Sequence, residues 1–178
     1  MRYIALLGGI NVGGHTVRME DLRRLFRDLG LSGVRSYIQS GNVFFQSPSR
    51  DRSGLAKRIE QHLNDSLGYE APTFLRTVPE LARIVARDPF RNIEPTPDVR
   101  LCVVFAAEPL ARLDLPIRSE KRDMEIIDAT SYEAFMTWRI VGGRAPAFPK
   151  FLARTLQTRL TTRFFSTTAK ILEAAIGP

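Results

Sequence analysis

The chain has 178 residues, 44% of them hydrophobic and 25% charged, values of a globular rather than a disordered protein, in a length that suits one ordinary domain or two small halves. A single cysteine, Cys102, excludes an internal disulfide, and no run nears the ~20 apolar residues that a membrane span needs. The net charge of +7 is unevenly placed: from Ala134 onward Arg139, Arg144, Lys150, Arg154, Arg159, Arg163 and Lys170 face only Glu173, so this tail carries +6 of the total.

Arg2 and the short apolar stretch after it resemble the start of a secretory leader. However, Asn11, His15 and several glycines interrupt that stretch and no small-residue cleavage site follows, so the expectation is a cytoplasmic protein. Residues 3–7 read as a buried strand, because the run is short, apolar and stopped by glycine. A loop with four glycines follows. Met19, Leu22, Leu25, Phe26 and Leu29 then recur at helical spacing, and Gly30 ends that helix. Val34, Ser36 and Ile38 alternate with Arg35, Tyr37 and Gln39, as in a strand with one wetter face. Gly41-Asn42 is a two-residue hairpin signal that returns the chain into a strand over 43–45.

Beyond a polar loop over 47–51, Leu55, Ile59, Leu63 and Leu67 stripe a second helix that Gly68 terminates. Residues 73–76 form a short strand, and Thr77-Val78-Pro79-Glu80 reads as a capping box with proline in the first turn of a third helix. Pro89 stops it. The proline-bearing stretch 89–98 is the expected linker between an N-terminal half, 1–88, and a C-terminal half, 99–178. In the latter, 99–106, 124–128 and 132–141 read as strands, Leu152, Leu156 and Leu160 stripe a helix, and Cys102 falls in an apolar run that favours a buried, inert thiol. Strands recur about 91 to 96 positions apart. The fold class expected is therefore α+β, with two ferredoxin-like βαββαβ-type halves from a duplication, plus extra helices. In that topology the loop 8–16 and the turn 40–42 line one edge.

Three segments then become recognisable: Ala5-Leu6-Leu7, the run Gly9-Ile10-Asn11-Val12-Gly13-Gly14, and Tyr37-Ile38-Gln39-Ser40-Gly41-Asn42-Val43. Together with Thr161-Thr162-Arg163 ahead of a helix, they resemble the bacterial domain-of-unknown-function family 1697. The resemblance spans the chain and implies an α+β protein of ferredoxin-like halves; it implies no activity. Three positions depart from the family pattern. Gly8 stands where arginine is usual, Pro149-Lys150 where a Ser-Lys pair is, and Phe164-Phe165 where an Asn-Trp pair commonly follows the Thr-x-Arg segment.

The glycine loop nearly spells a phosphate-binding P-loop, but His15 stands at the position of the lysine that reaches the outer phosphates, and the spacing of a dinucleotide site is absent as well. What survives is an anion cradle of backbone amides from Gly9, Gly13 and Gly14, with Asn11, His15, Ser40, Gly41 and Asn42 as further contacts. The alternative is that the same glycines and asparagines simply build the loops. No zinc spacing, cofactor motif or complete catalytic motif appears; Ser40 with His15 as base lacks an orienting acid. The first expectation is thus a binder of a phosphate-bearing or other small anionic ligand. The second is a nucleic-acid binder using Lys150, Arg154, Arg159 and Arg163 of the basic C-terminal half, and the third an enzyme of unassigned class.

Overall fold

A computed structural model of the protein describes all residues except Pro95 and Pro178. It is a mixed α+β structure whose described residues form two antiparallel sheets and five helices. By internal contact the chain divides into Met1–Arg83 with Lys170–Pro178, and Ile84–Ala169. The expected linker, 89–98, contains Pro95, which lies outside the described residues. Within that stretch Phe90 is buried and meets Phe135 and Phe165 edge-on, at centroid distances of 6.2 and 5.1 Å.

The first unit runs β1 (Arg2–Leu7), α1 (Met19–Asp28), β2 (Ser32–Tyr37), β3 (Asn42–Gln46), α2 (Arg52–Leu67) and β4 (Thr73–Thr77), with sheet order β2-β3-β1-β4. Period-2 alternation on β1 turns Tyr3, Ala5 and Leu7 to one face. There they join Val43, Phe45 and Leu75 under the stripes Leu22, Leu25, Phe26 of α1 and Leu55, Ile59, Leu63 of α2. Asp51 caps α2 by accepting from the Gly54 N–H at 2.9 Å. The capping box at α3 (Val78–Arg87) is reciprocal: the Thr77 N–H donates to Glu80 Oε2 at 2.7 Å while the Glu80 N–H donates to Thr77 Oγ1 at 3.4 Å. The chain's last residues return to this unit, where the Arg35 guanidinium donates to the carbonyls of Ala174, Ala175 and Gly177 and so satisfies the end of the final helix.

The hairpin differs from the two-residue turn expected at Gly41-Asn42. Tyr37 pairs with Asn42, and the loop between them has four residues, 38–41, with Ile38 at φ 49°. The reason is the Asn42 side chain, which is fully buried and donates from Nδ2 to the Tyr37 carbonyl at 3.2 Å and to Ser40 Oγ at 3.0 Å. It clamps the mouth of the hairpin and begins β3 rather than sitting in the turn.

The second unit contains β5 (Val99–Ala106), β6 (Ile117–Arg118), β7 (Met124–Ala129), β8 (Glu133–Arg139), α4 (Phe148–Leu156) and β9 (Leu160–Phe164), followed by the start of α5 (Phe165–Ile176). Its sheet order is β6-β7-β8-β5-β9. Cys102, Val104, Ile126, Met136 and Trp138 form its core with Phe151, Leu152 and Leu156 of α4. Trp138 Nε1 donates to Cys102 Sγ at 3.3 Å, and burial pushes the thiol up to about 11, so it stays protonated at neutral pH. Two differences stand out. Leu160 begins a strand instead of extending the α4 stripe, because Gln157 ends the helix in a left-handed conformation and Thr158, Thr161 and Thr162 favour extended backbone. The stretch 107–116, where a second βαββαβ unit needs its first helix, holds none.

Candidate functional site

The glycine loop leaves the sheet at the end of β1 and crosses to α1. Four backbone and side-chain bonds fix where it goes. The Leu7 N–H donates to the Gly41 carbonyl and the Gly8 N–H to the Pro72 carbonyl, both at 2.8 Å. Asn11, held at φ 53°, donates from Nδ2 to the Gln39 carbonyl at 2.8 Å and accepts on Oδ1 from the Val17 N–H at 2.8 Å. One amide side chain thus ties the glycine loop to the hairpin loop 38–41 and to the approach of α1. The two bends do share an edge, and Gly41 is where they touch: a Cβ there would lie 2.9 Å from Ile10 Cβ and 3.0 Å from Leu7 Cβ, on a backbone at φ 72°.

The sequence-derived site residues fall into two groups. Asn11 and Asn42 have their amide nitrogens, and Asn11 its oxygen too, turned onto the chain itself. They build the edge. Ser40 is exposed and its hydroxyl accepts from Asn42. Gly9 packs toward the Glu70 carbonyl, at 3.2 Å from a built Cβ. Gly13 and Gly14 are exposed, sit at φ 62° and 90°, and would meet nothing within 4 Å. Turns of this kind can aim neighbouring N–H groups toward one side, as an anion nest does. Among the described residues, the N–H groups of Gly13 and Gly14 donate to no backbone acceptor, whereas His15 N–H closes a turn onto the Val12 carbonyl at 3.1 Å.

Sequence reasoning missed the third wall. The segment 69–72 leads into β4 alongside the loop, and the His15 ring stacks on Tyr69 with centroids 4.0 Å apart and planes at 24°. The Tyr69 hydroxyl is buried without a hydrogen-bond partner among the described residues, and burial pushes its pKa up. No local motif marks this contact: only Gly68, as the stop of α2, hinted that the chain turns there.

The basic residues of the second unit do not form one continuous array. Lys150 and Arg154 lie one turn apart on α4 and line a cleft of about 620 Å³ together with Lys121 and Arg144. Arg163 belongs to β9, opposite Val103 of β5. Its guanidinium donates to Thr161 Oγ1 at 3.0 Å and to the Thr162 carbonyl at 2.8 Å, and burial lowers its pKa to about 10, still cationic at neutral pH. Arg159 is exposed at the turn before that strand. Among the described residues no cluster of His, Cys, Asp and Glu could hold a metal ion, and no helix is long and apolar enough to cross a membrane.

Comparison with known proteins gives a family and a fold. A family model described as "Protein of unknown function (DUF1697)" matches residues 1–134. Among solved structures, a conserved bacterial protein, SP0830 from Streptococcus pneumoniae, matches with a TM-score of 0.73 over 99% of this chain and 98% of that one, at 23% sequence identity. At that identity the likeness is one of fold. No curated protein matches the chain.

Proposed function

We propose, for a chain that belongs to the DUF1697 family, that the glycine-loop edge of the first unit binds a small anionic, phosphate-bearing ligand. The observation that carries this reading is the state of the Gly13 and Gly14 amides: on exposed residues at φ 62° and 90°, without a backbone acceptor among the described residues, in a loop that Asn11 ties to Gln39. A structural loop needs its amides only to be solvated; a rigid, two-sided anchorage of the same amides favours a fixed acceptor. His15, stacked on Tyr69, stands beside them. In this reading the two halves are ferredoxin-like repeats, which the matching pairing orders β2-β3-β1-β4 and β7-β8-β5-β9 support.

Calorimetric titration with inorganic phosphate, sugar phosphates and nucleotides tests the reading. Gly14→Ala, which has room for its methyl group but resists φ 90°, is expected to weaken the best ligand about tenfold, the worth of one charge-assisted hydrogen bond. No binding by any of these anions, or binding that Gly14→Ala leaves unchanged, overturns it.

The second reading, a nucleic acid on the basic C-terminal half, is favoured by one observation, the cation excess there, with Lys150 and Arg154 one turn apart on α4 and Arg159 exposed before β9. Its signature is oligonucleotide affinity that falls steeply with salt.

A further inference from the structure

The second unit holds a concavity that the glycine-loop reading does not use. Three short segments wall it. The β6–β7 turn supplies Lys121, the hairpin closed by the Val141–Arg144 bridge supplies Arg144, and α4 supplies Lys150 and Arg154 on one face. Met124 and Phe151, both buried, form an apolar floor. Its volume of about 620 Å³ falls in the range of sites that enclose small organic ligands.

The walls are ordered by the chain's own bonds. Ser119 Oγ donates to Asp123 Oδ1 at 2.7 Å and accepts from the Met124 N–H at 3.1 Å, which fixes the turn. Gly142 and Gly143, at φ 58° and 72°, let the hairpin reverse in two residues and bring Arg144 back over the cleft. The charge balance is asymmetric. Four cations face two acids, of which Asp123 already accepts from Ser119 and Glu120 sits 3.7 Å from Arg154 in an exposed pair that solvent and salt weaken. The first turn of α4 adds no acid and has no side-chain cap.

We infer that this cleft is a binding site for a phosphomonoester with an apolar or flat body. The phosphate lies among Arg144, Lys150 and Arg154, where guanidinium forks match its oxygens, and the body rests on Met124 and Phe151. A concave, floored site with cations at its rim selects a compact ligand. An extended polyanion is better matched by cations spread along an open face, and here Arg163 is drawn into its own strand.

Methionine methyl spectra test this directly, because the chain has four methionines. Met124 reports on the cleft, Met19, the first residue of α1, reports on the glycine loop, and Met136, fully buried, reports on folding. Titration with phenyl phosphate and adenosine monophosphate is expected to shift the Met124 methyl saturably, and Lys150→Ala/Arg154→Ala to weaken both ligands at least tenfold with Met136 unmoved. The inference is overturned by an unshifted Met124 at about 10 mM ligand, a concentration that reads even millimolar affinity. It is overturned equally by affinity that the double variant leaves intact, by inorganic phosphate binding as tightly as the esters, or by oligonucleotides shifting Met124 where mononucleotides do not. A Met19 shift without a Met124 shift sinks this site and leaves the glycine-loop reading standing; the converse does the opposite.

Discussion

The two sheets share a pairing order but not the connection that makes it. In the first unit the chain crosses from β1 to β2 through α1, which buries Leu22, Leu25 and Phe26. In the second, the corresponding crossing from β5 to β7 has no helix. It carries Pro109 and Pro116, adds the two-residue strand β6, and lays Leu110, Leu113 and Leu115 half-buried on the core. The comparison teaches that the strand order is fixed by the sheet's own antiparallel registers, while the covering layer is exchangeable. The concavities differ as well: the glycine loop lies in the crossing from β1 to α1, whereas of the four cations lining the second unit's cleft only Lys121 lies in the β5–β7 crossing, and Arg144, Lys150 and Arg154 follow β8.

The largest effect that sharpens this contrast is in the covering layers themselves. Phe26 is fully buried and packs against Phe45 with ring centroids 5.6 Å apart, so Phe26→Ala is expected to cost about 3–5 kcal/mol in urea unfolding. Leu113→Ala, on the half-buried crossover of the second unit, is expected to cost less, about 1–2 kcal/mol, because part of that side chain is already open to solvent. Equal losses would mean that 107–116 is as integral as α1.

Next come the glycines. Gly41→Ala places a methyl group 2.9–3.0 Å from Ile10 and Leu7 on a left-handed backbone, and about 2–4 kcal/mol is expected from strain and overpacking together. Gly143→Ala at φ 72°, with nothing within 4 Å, carries the strain alone, about 1–2 kcal/mol. Chemical denaturation of the two variants separates steric closure of the two bends from mere turn geometry.

Much of this was legible beforehand, and for identifiable reasons. The stripes of α1 and α2, the Thr77 start and the strand over 99–106 are written in local periodicity and capping chemistry, which act over a few residues. Asn42 was legible as a hairpin residue but not as a clamp, because its role depends on burial against Tyr37, a contact across the loop. Leu160 matched the α4 spacing, yet Gln157 and the threonines around it end the helix first. The meeting of the glycine loop with the hairpin followed from topology alone. The stacking of Tyr69 on His15 and the gathering of Lys121 and Arg144 with Lys150 did not, since they join segments with no shared motif.

The smallest expected effects concern two carboxylates, one in each unit. Burial pushes the Glu80 carboxyl up, but the Thr77 N–H, the Arg52 guanidinium and the Thr77 hydroxyl pull harder, and the net pKa is below its ordinary 4.5. Asp128 lies below its ordinary 3.8, chiefly because Arg87 donates to both of its oxygens, with Oδ1 reached at 2.8 Å. A carboxyl whose folded pKa is depressed stabilises the protein fully above the unfolded value and loses that contribution as pH falls through the folded one. At pH 7 Glu80→Gln keeps an acceptor for the capping box but loses the charge, so about 0.5–1 kcal/mol is expected. Asp128→Asn faces an exposed arginine, and less, about 0.5 kcal/mol, is expected. Thermal melts from pH 7 downward should show each variant's deficit shrinking, from about pH 4.5 for Glu80 and from a lower pH for Asp128. Salt should shrink the Asp128 deficit more than that of Glu80: each carboxylate accepts from one backbone N–H, Ala129 for Asp128 and Thr77 for Glu80, but the Arg87–Asp128 pair is the more exposed of the two ion pairs.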